Sequence, residues 1–169
     1  MILYLLRHGI AEDKIAGKHK NDSERRLTKE GIDELRLSVK GMKALKLGIE
    51  HVLASPYVRT KETAEIVAEG LGIKKGLKYS ENLQCGMDPK KLLKELAEKY
   101  YSKDRILLVG HEPHMSALIA VLTSGNEFGS IQMKKGSLCK VEIDRPVYGL
   151  CGTLKWLLTP KQLILIGNE

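Results

Sequence analysis

The chain has 169 residues, of which 43% are hydrophobic and 29% charged, a balance typical of one globular domain rather than of a disordered or fibrous chain. We therefore expect a single domain over residues 1–169. A net charge of +7 could attract acidic partners, phosphoproteins or nucleic acid, but the lysines are scattered and often stand beside glutamates. With no basic block and few aromatic residues, the charge predicts a solvated surface and no nucleic-acid interface.

The cysteines and the apolar runs of the sequence indicate the cellular compartment of the protein. Cys85, Cys139 and Cys151 cannot all pair within one chain and lack the spacing of a zinc site, which favours a reducing cytoplasm. The apolar start at 1–6 is too short for a signal peptide, and every other apolar run is far shorter than the roughly 20 residues needed to span a bilayer. The sequence predicts a cytoplasmic protein that does not bind a membrane.

The first elements combine a buried strand with an amphipathic helix. Residues 2–6 are an unbroken apolar run, as in a strand covered on both faces. The polar stretch 10–26 has no helical or strand period and is predicted as a loop. Thr28 then caps a helix that ends by Gly48 and buries one face, formed by Ile32, Leu35, Val39, Met42 and Leu45.

The middle of the chain repeats this alternation. Residues 51–54 read as a second strand, and a helix after Pro56 ends at Gly70 and Gly72. A weaker strand is predicted at 77–79. Asp88-Pro89 opens another helix, and 106–109 is the clearest strand of the sequence.

The last elements complete the predicted fold. A helix follows Pro113, and two β-patterned runs, 137–143 and 153–158, are joined by a turn that contains proline and glycine. The alternation of strands and helices predicts an α/β fold, a three-layer α/β/α sandwich with a mostly parallel central sheet and a late β-hairpin.

Arg7-His8-Gly9 directly follows the first predicted strand. A neutral imidazole there can attack phosphorus, and the adjacent guanidinium offers a fork of donors for phosphate oxygens. Gly9 allows the backbone to pass close to a ligand. Taken alone, the tripeptide is a weak signal, and a structural histidine at a strand end is the better interpretation.

Comparable residues follow two further predicted strands. Arg59 stands in the first turn of a helix, where free backbone N–H groups favour anions, although an exposed surface arginine is the simpler interpretation. His111, after the strand 106–109, could donate to a phosphoryl oxygen or form a metal pair with His114. No third ligand is spaced to complete a metal site, so we predict no metal and no other cofactor. Because parallel α/β sheets bind ligands at the carboxyl ends of their strands, the conjunction of the three segments favours a phosphate site.

Four ordered motifs resemble those of the histidine phosphatase (phosphoglycerate mutase-like) superfamily: Arg7-His8-Gly9, Leu27-Thr28-x-x-Gly31, Ser55-Pro56-x-x-Arg59-x-x-x-Thr63-Ala64 and Gly110-His111-x-Pro113. Within it, the chain is similar to the short SixA-type phosphohistidine phosphatases over nearly its whole length.

The resemblance implies a role for each matched residue. His8 would be the nucleophile that is transiently phosphorylated, while Arg7, Arg59 and His111, with Gly9, would bind the phosphoryl group. Larger relatives have an acid after the third strand that protonates the leaving oxygen. The nearest candidate here is Glu81, whose surrounding sequence departs from the usual pattern and also fits an ordinary exposed glutamate.

Three functions remain as hypotheses. A phosphohistidine can leave as neutral imidazole without an acid, and the chain has little spare sequence to cover its site, so the leading hypothesis is a phosphatase acting on phosphohistidine of a protein. The second is a phosphatase for small phosphomonoesters. The third is a non-catalytic module that binds phosphate or nucleic acid. Activity is expected to fall on acidification, as His8 takes up a proton.

Overall fold

The computed structural model describes residues 1–14, 21–100 and 104–168, and six strands and five helices lie within them. The strands are β1 (Ile2–Arg7), β2 (His51–Ala54), β3 (Leu77–Tyr79), β4 (Arg105–Gly110), β5 (Leu138–Ile143) and β6 (Gly152–Leu158). The helices are α1 (Lys29–Ala44), α2 (Val58–Leu71), α3 (Pro89–Lys99), α4 (His114–Ser124) and α5 (Pro160–Ile166). None of the helices in these three ranges is both long and apolar enough to cross a membrane.

The six strands form one sheet in the order β3-β2-β4-β1-β5-β6. The pairs of β2 with β3, β2 with β4 and β1 with β4 are parallel, whereas β5 is antiparallel to both β1 and β6. The mostly parallel sheet and the late hairpin are therefore confirmed. The single domain over 1–169 stays a prediction.

Two apolar clusters cover the two faces of the sheet. One joins α3 and α4 to the sheet, with Leu92, Leu96 and Leu118 fully buried, and the other joins α1, α2 and α5, with Met42 and Val67 fully buried. The unbroken apolar runs of β1 and β4 follow from this arrangement, because both faces of these central strands are covered. The three-layer sandwich is confirmed.

Several element ends differ in detail from the sequence prediction. Thr28 caps α1 as predicted, by accepting a hydrogen bond from the Gly31 amide, but the helix ends at Ala44, four residues before Gly48. Gly72 ends α2 in the left-handed region, while Gly70 is still helical. The predicted loop 10–26 lies partly outside the described residues.

Helix α5 was missed in the sequence because its short apolar run suggested no period. Its start nevertheless has a recognisable signature. Thr159 caps the helix, Pro160 occupies the first turn, and the Gln162 side chain returns to the Thr159 amide in a capping box.

Candidate active site

The site residues meet because three parallel strands end at one edge of the sheet. Arg7 at the end of β1 is in register with Gly110 at the end of β4, and Ala54 at the end of β2 is in register with Val109. The His8 amide extends this register by donating to the Gly110 carbonyl at 3.1 Å. Residues that follow the three strands therefore lie side by side.

The His8 ring is held in one tautomer by its own neighbour. Its Nδ1 lies 2.7 Å from the Gly9 carbonyl oxygen, which can only accept a hydrogen bond, so Nδ1 carries the proton. The other ring nitrogen, Nε2, accepts a hydrogen bond from Nε of Arg59 at 3.2 Å. The side chain is only 5% exposed. This geometry leaves a lone pair on Nε2, directed at the Arg59 guanidinium.

Arg59 lies in the first turn of α2 and is 2% exposed. Besides the bond to His8, its Nη1 donates to the Asp22 carbonyl at 2.7 Å and its Nη2 donates to Oδ2 of Asp22 at 2.8 Å. The Cys85 sulfur lies 4.0 Å from Nη2. Arg59 is thus a buried cation between His8 and a carboxylate, which excludes the interpretation as a surface arginine.

His111 lies beside His8, with their ring centroids 5.3 Å apart, and is 1% exposed. Its Nε2 lies 2.8 Å from the Ser55 hydroxyl, whereas its Nδ1 is buried without a hydrogen-bond partner among the described residues. The Tyr57 ring packs against it at 4.8 Å and also faces the Arg59 guanidinium at 5.1 Å. His111 therefore has one anchored nitrogen and one that is free for a ligand.

Arg7 directly precedes His8 in the chain and is half-buried. Its Nη1 donates to the Met133 carbonyl at 2.7 Å, while its Nε is buried and unpaired within the described part of the chain. Burial lowers the pKa of Arg7, the nearby Glu112 carboxylate raises it, and the Arg59 charge lowers it further. The positive charges of Arg7 and Arg59 therefore act on each other.

Burial and positive charge keep both histidines neutral. Burial lowers the pKa of His8 to about 3, helped by the charges of Arg59, Arg7 and Lys135 and opposed by the hydrogen bond to Gly9. Burial also lowers the pKa of His111 to about 3, with the Arg59 charge as the next cause. At neutral pH the site holds two neutral imidazoles and two guanidinium cations.

Gly9 and Glu81, the other two candidate residues from the sequence, do not lie in the site in the same way as Arg7, His8, Arg59 and His111. The Gly9 amide donates to the Thr63 hydroxyl at 3.1 Å, so in this structure it supports the loop rather than facing the site. Glu81 is exposed and lines a separate groove of about 540 Å³ beside α3, which contains neither His8 nor Arg59. The structure therefore brings together Arg7, His8, Arg59 and His111, but not Glu81.

Sequence reasoning assigned no role to three residues that organise the site. Asp22 binds Arg59, Ser55 anchors His111, and Thr63 connects the Gly9 amide to the Arg59 carbonyl, to which its hydroxyl donates at 2.7 Å. Ser55 and Thr63 stand within the matched motif around Arg59, which was a usable signal. Asp22 lies in the unpatterned loop and offered none. No metal-binding cluster of histidine, cysteine and acidic residues occurs in the ranges that the structure covers.

Comparison with known proteins agrees with this arrangement. A family model described as histidine phosphatase superfamily (branch 1) matches residues 3–84. The chain is 29% identical over 166 residues to the phosphohistidine phosphatase SixA of Escherichia coli, covering 96% of both chains.

Solved structures extend the likeness. A protein histidine phosphatase SixA complexed with tungstate superimposes with a TM-score of 0.81 at 28% identity, over 96% of this chain and 99% of the other. The fold is also shared with a phosphoserine phosphatase of Entamoeba histolytica, at a TM-score of 0.71 and 17% identity over 96% of this chain and 98% of the other. The family model, the relatives and the fold thus confirm the resemblance of this chain to the histidine phosphatase superfamily that its motifs indicate.

Proposed function

We propose that this chain is a phosphohistidine phosphatase that works through a phosphoryl group bound covalently to His8. The observation that carries the proposal is the buried His8 ring, whose Nδ1–H is fixed by the Gly9 carbonyl and whose Nε2 lone pair faces Arg59. The unpaired Nδ1 of His111 and the two guanidinium groups supply donors for the phosphoryl oxygens.

The first step transfers the phosphoryl group to the enzyme. Nε2 of His8 attacks phosphorus, the bond from phosphorus to the substrate nitrogen breaks, and the leaving imidazole keeps the proton on its other nitrogen. Positive charge develops on the His8 ring as the new bond forms. The Gly9 carbonyl oxygen, 2.7 Å from Nδ1, accepts a hydrogen bond from the Nδ1–H group of that ring, so it stabilises this charge without any proton transfer.

The second step hydrolyses the phosphorylated His8 and regenerates the free enzyme. Water attacks phosphorus, the bond between phosphorus and Nε2 breaks, and His8 leaves as a neutral imidazole that still carries its Nδ1 proton. The oxygen and both protons of the water leave with the product, as dihydrogen phosphate. Negative charge on the equatorial oxygens is offset throughout by Arg7 and Arg59. No cofactor takes part in either step.

The carboxylate of Asp22 favours a phosphohistidine substrate over an ester. Burial raises the pKa of Asp22, but the charges and hydrogen bonds of Arg59 and Arg25 outweigh it and leave that pKa lowered. Asp22 is therefore a poor donor of the proton that an alkoxide leaving group needs. A P–N bond does not require that proton, and the relatives named SixA are phosphohistidine phosphatases.

A phosphatase for small phosphomonoesters is the second candidate. Glu112 favours it, because this carboxylate follows His111 directly and its charge acts on Arg7. One of its oxygens accepts a hydrogen bond from Ser116, and the other is unpaired among the described residues. If the substrate is an ester, Glu112 is a better candidate than Glu81 for the proton donor.

The test offers purified protein a phosphohistidine-bearing carrier domain and simple phosphomonoesters side by side, with His8→Ala as control. The proposal predicts a higher kcat/KM for the phosphohistidine domain, no turnover by His8→Ala, and no loss of activity with a chelator. Preference for the ester would transfer the assignment to the second candidate.

We further propose a cytoplasmic location, which the three free cysteines support.

A further inference from the structure

A basic groove of about 480 Å³ adjoins the phosphoryl site. Arg7 lines it, and so do three lysines, Lys134, Lys135 and Lys161. The groove also contains one carboxylate, Glu34, along with Ile10, Thr159 and Pro160. Four cations thus face one anion on a surface that is continuous with the proposed catalytic arginine.

The lysine-bearing turn is fixed relative to His8. The Gly136 amide lies 3.1 Å from the Arg7 carbonyl and 3.0 Å from the His8 carbonyl, and the Arg7 amide donates to the Ser137 carbonyl at 3.1 Å. The turn closes with a hydrogen bond from the Ser137 amide to the Lys134 carbonyl, and Gly136 adopts a φ of 74° within it. The distance from the groove to the nucleophile is therefore set by backbone hydrogen bonds.

The backbone on the other side of the groove is also held in place by hydrogen bonds. Lys161 is in the first turn of α5, which is anchored by the capping box of Thr159 and Gln162. Pro160, next to it, is buried and packs near Gly136. The lysines on the two sides thus have fixed backbone positions, while their side chains extend toward solvent.

Within the described part of the chain, these lysines have no anionic partner of their own. Among residues 1–14, 21–100 and 104–168, no carboxylate forms an ion pair with Lys134, Lys135 or Lys161, whereas other lysines, such as Lys74 and Lys99, pair with glutamates at 2.9 Å. The charge of Lys135 reaches the site, because it contributes to lowering the pKa of His8. Unpaired charge concentrated beside a catalytic centre attracts a complementary charge on the substrate.

We propose that this groove, which we call the lysine groove, binds an acidic segment of the protein that carries the phosphohistidine. The inference rests on the proposed function and narrows its substrate to phosphoproteins with Asp or Glu beside the phosphorylated residue. While the phosphoryl group lies between Arg7 and Arg59, the flanking carboxylates pair with Lys134 and Lys161 at the surface. Contacts at such an exposed rim act mainly on association and are weakened by salt.

The test uses two peptides that each contain one phosphohistidine and differ only at the flanking positions, glutamates in one and glutamines in the other. At low ionic strength we expect wild-type protein to show about tenfold higher kcat/KM for the acidic peptide, through a lower KM, and to lose this preference in high salt. Lys134→Gln/Lys161→Gln should abolish the preference and leave turnover of the neutral peptide unchanged. The matched control is Lys43→Gln/Lys75→Gln, which removes the same charge from exposed lysines outside the groove.

The possible outcomes distinguish a failure of the lysine-groove proposal from a failure of the proposed phosphatase function. Equal kcat/KM for the two peptides, or equal effects of the two double variants, would overturn the lysine groove while the phosphatase function stands. If neither phosphohistidine peptide is hydrolysed, the proposed function fails. The same pair with phosphoserine then decides whether an acidic flank is still preferred, and equal rates would overturn the groove as well.

Discussion

Ser55 is the residue on which the orientation of His111 depends. A hydroxyl can donate or accept, and we expect it to donate to Nε2, because that leaves the Nδ1 proton of His111 for a phosphoryl oxygen. The buried and unpaired Nδ1 is consistent with this assignment. Ser55 would then be a positioning residue, which acts through His111 and does not touch the substrate.

Ser55→Ala removes this orientation and leaves Nε2 of His111 buried and unpaired. We expect kcat/KM to fall about tenfold, as one lost buried hydrogen bond implies, with the protein still folded. Steady-state kinetics measures the loss, and nitrogen chemical shifts of the His111 ring report the change of tautomer. Ser38→Ala, another buried serine but one that lies in α1, should change neither. An unchanged tautomer in Ser55→Ala would show that Ser55 has no such role.

Asp22 competes with the phosphoryl group for Arg59, since its carboxylate accepts from Nη2 at 2.8 Å. Asp22→Asn removes the negative charge and keeps the shape, so we expect the inhibition constant for inorganic phosphate or tungstate to fall about fivefold. Inhibition assays at constant ionic strength measure it. Asp33→Asn, at an exposed position of α1, serves as control. Weaker binding of both oxyanions by Asp22→Asn would mean that the carboxylate holds Arg59 in position instead.

The residues of the site were predictable from sequence to different degrees. His8, Arg59 and His111 each follow a strand, so the fold alone predicts that they lie at one edge of the sheet. The contact of Asp22 with Arg59 spans 37 positions and comes from a loop without a hydrophobic pattern. Such a contact depends on how the loop packs, which no local signal in the sequence describes.

At the scale of elements, α1 supports the active-site loop through a close backbone contact. A Cβ atom added at Gly31 would collide with the Ile10 carbonyl oxygen, and Thr28 anchors the same segment by donating its amide to that oxygen at 3.0 Å. The glycine in the Leu27-Thr28-x-x-Gly31 motif thus has a physical reason. It lets the first turn of α1 press against the backbone two residues beyond His8.

Gly31→Ala should therefore destabilise the protein despite the higher helix propensity of alanine. We expect the free energy of unfolding to fall by about 2 kcal/mol, because backbone must move to accommodate the methyl group. Urea denaturation measures it. Lys40→Ala, at an exposed position of the same helix, should be nearly neutral. A stabilised Gly31→Ala protein would contradict the close contact.

Elements with a strong hydrophobic period were predictable, and weaker ones were not. Strand β4 is buried along nearly its whole length and was evident from its apolar run. Helix α5 has only seven residues, too few to show a helical period, and it packs on α1 through Leu163. Its capping box was the local signal, and tertiary packing supplies the rest.

At the scale of the whole molecule, burying neutral histidines makes stability depend on pH. The pKa values of His8 and His111 are about 3 in the folded protein, below the ordinary value of 6.5 that we expect in the unfolded chain. Between these values the unfolded chain binds protons that the folded protein does not. The free energy of unfolding therefore decreases as pH falls from about 6.5 toward 3, and this contribution is constant above that range.

Each buried histidine should contribute a slope of at most about 1.4 kcal/mol per pH unit within this window. Denaturation at a series of pH values measures the total slope. The variant His8→Asn/His111→Asn should show a shallower dependence than wild type, while other titrating groups act equally on both. Identical slopes would contradict the neutral, buried state of the two rings.

The covalent intermediate is the central claim, and rapid quenching tests it directly. The protein is mixed with a phosphohistidine peptide that carries a radioactive phosphoryl group, quenched in alkali, and mapped by proteolysis. We predict an alkali-stable, acid-labile label on the peptide that contains His8, with none in His8→Ala. A label at another residue, or turnover by His8→Ala without any label, would contradict the account.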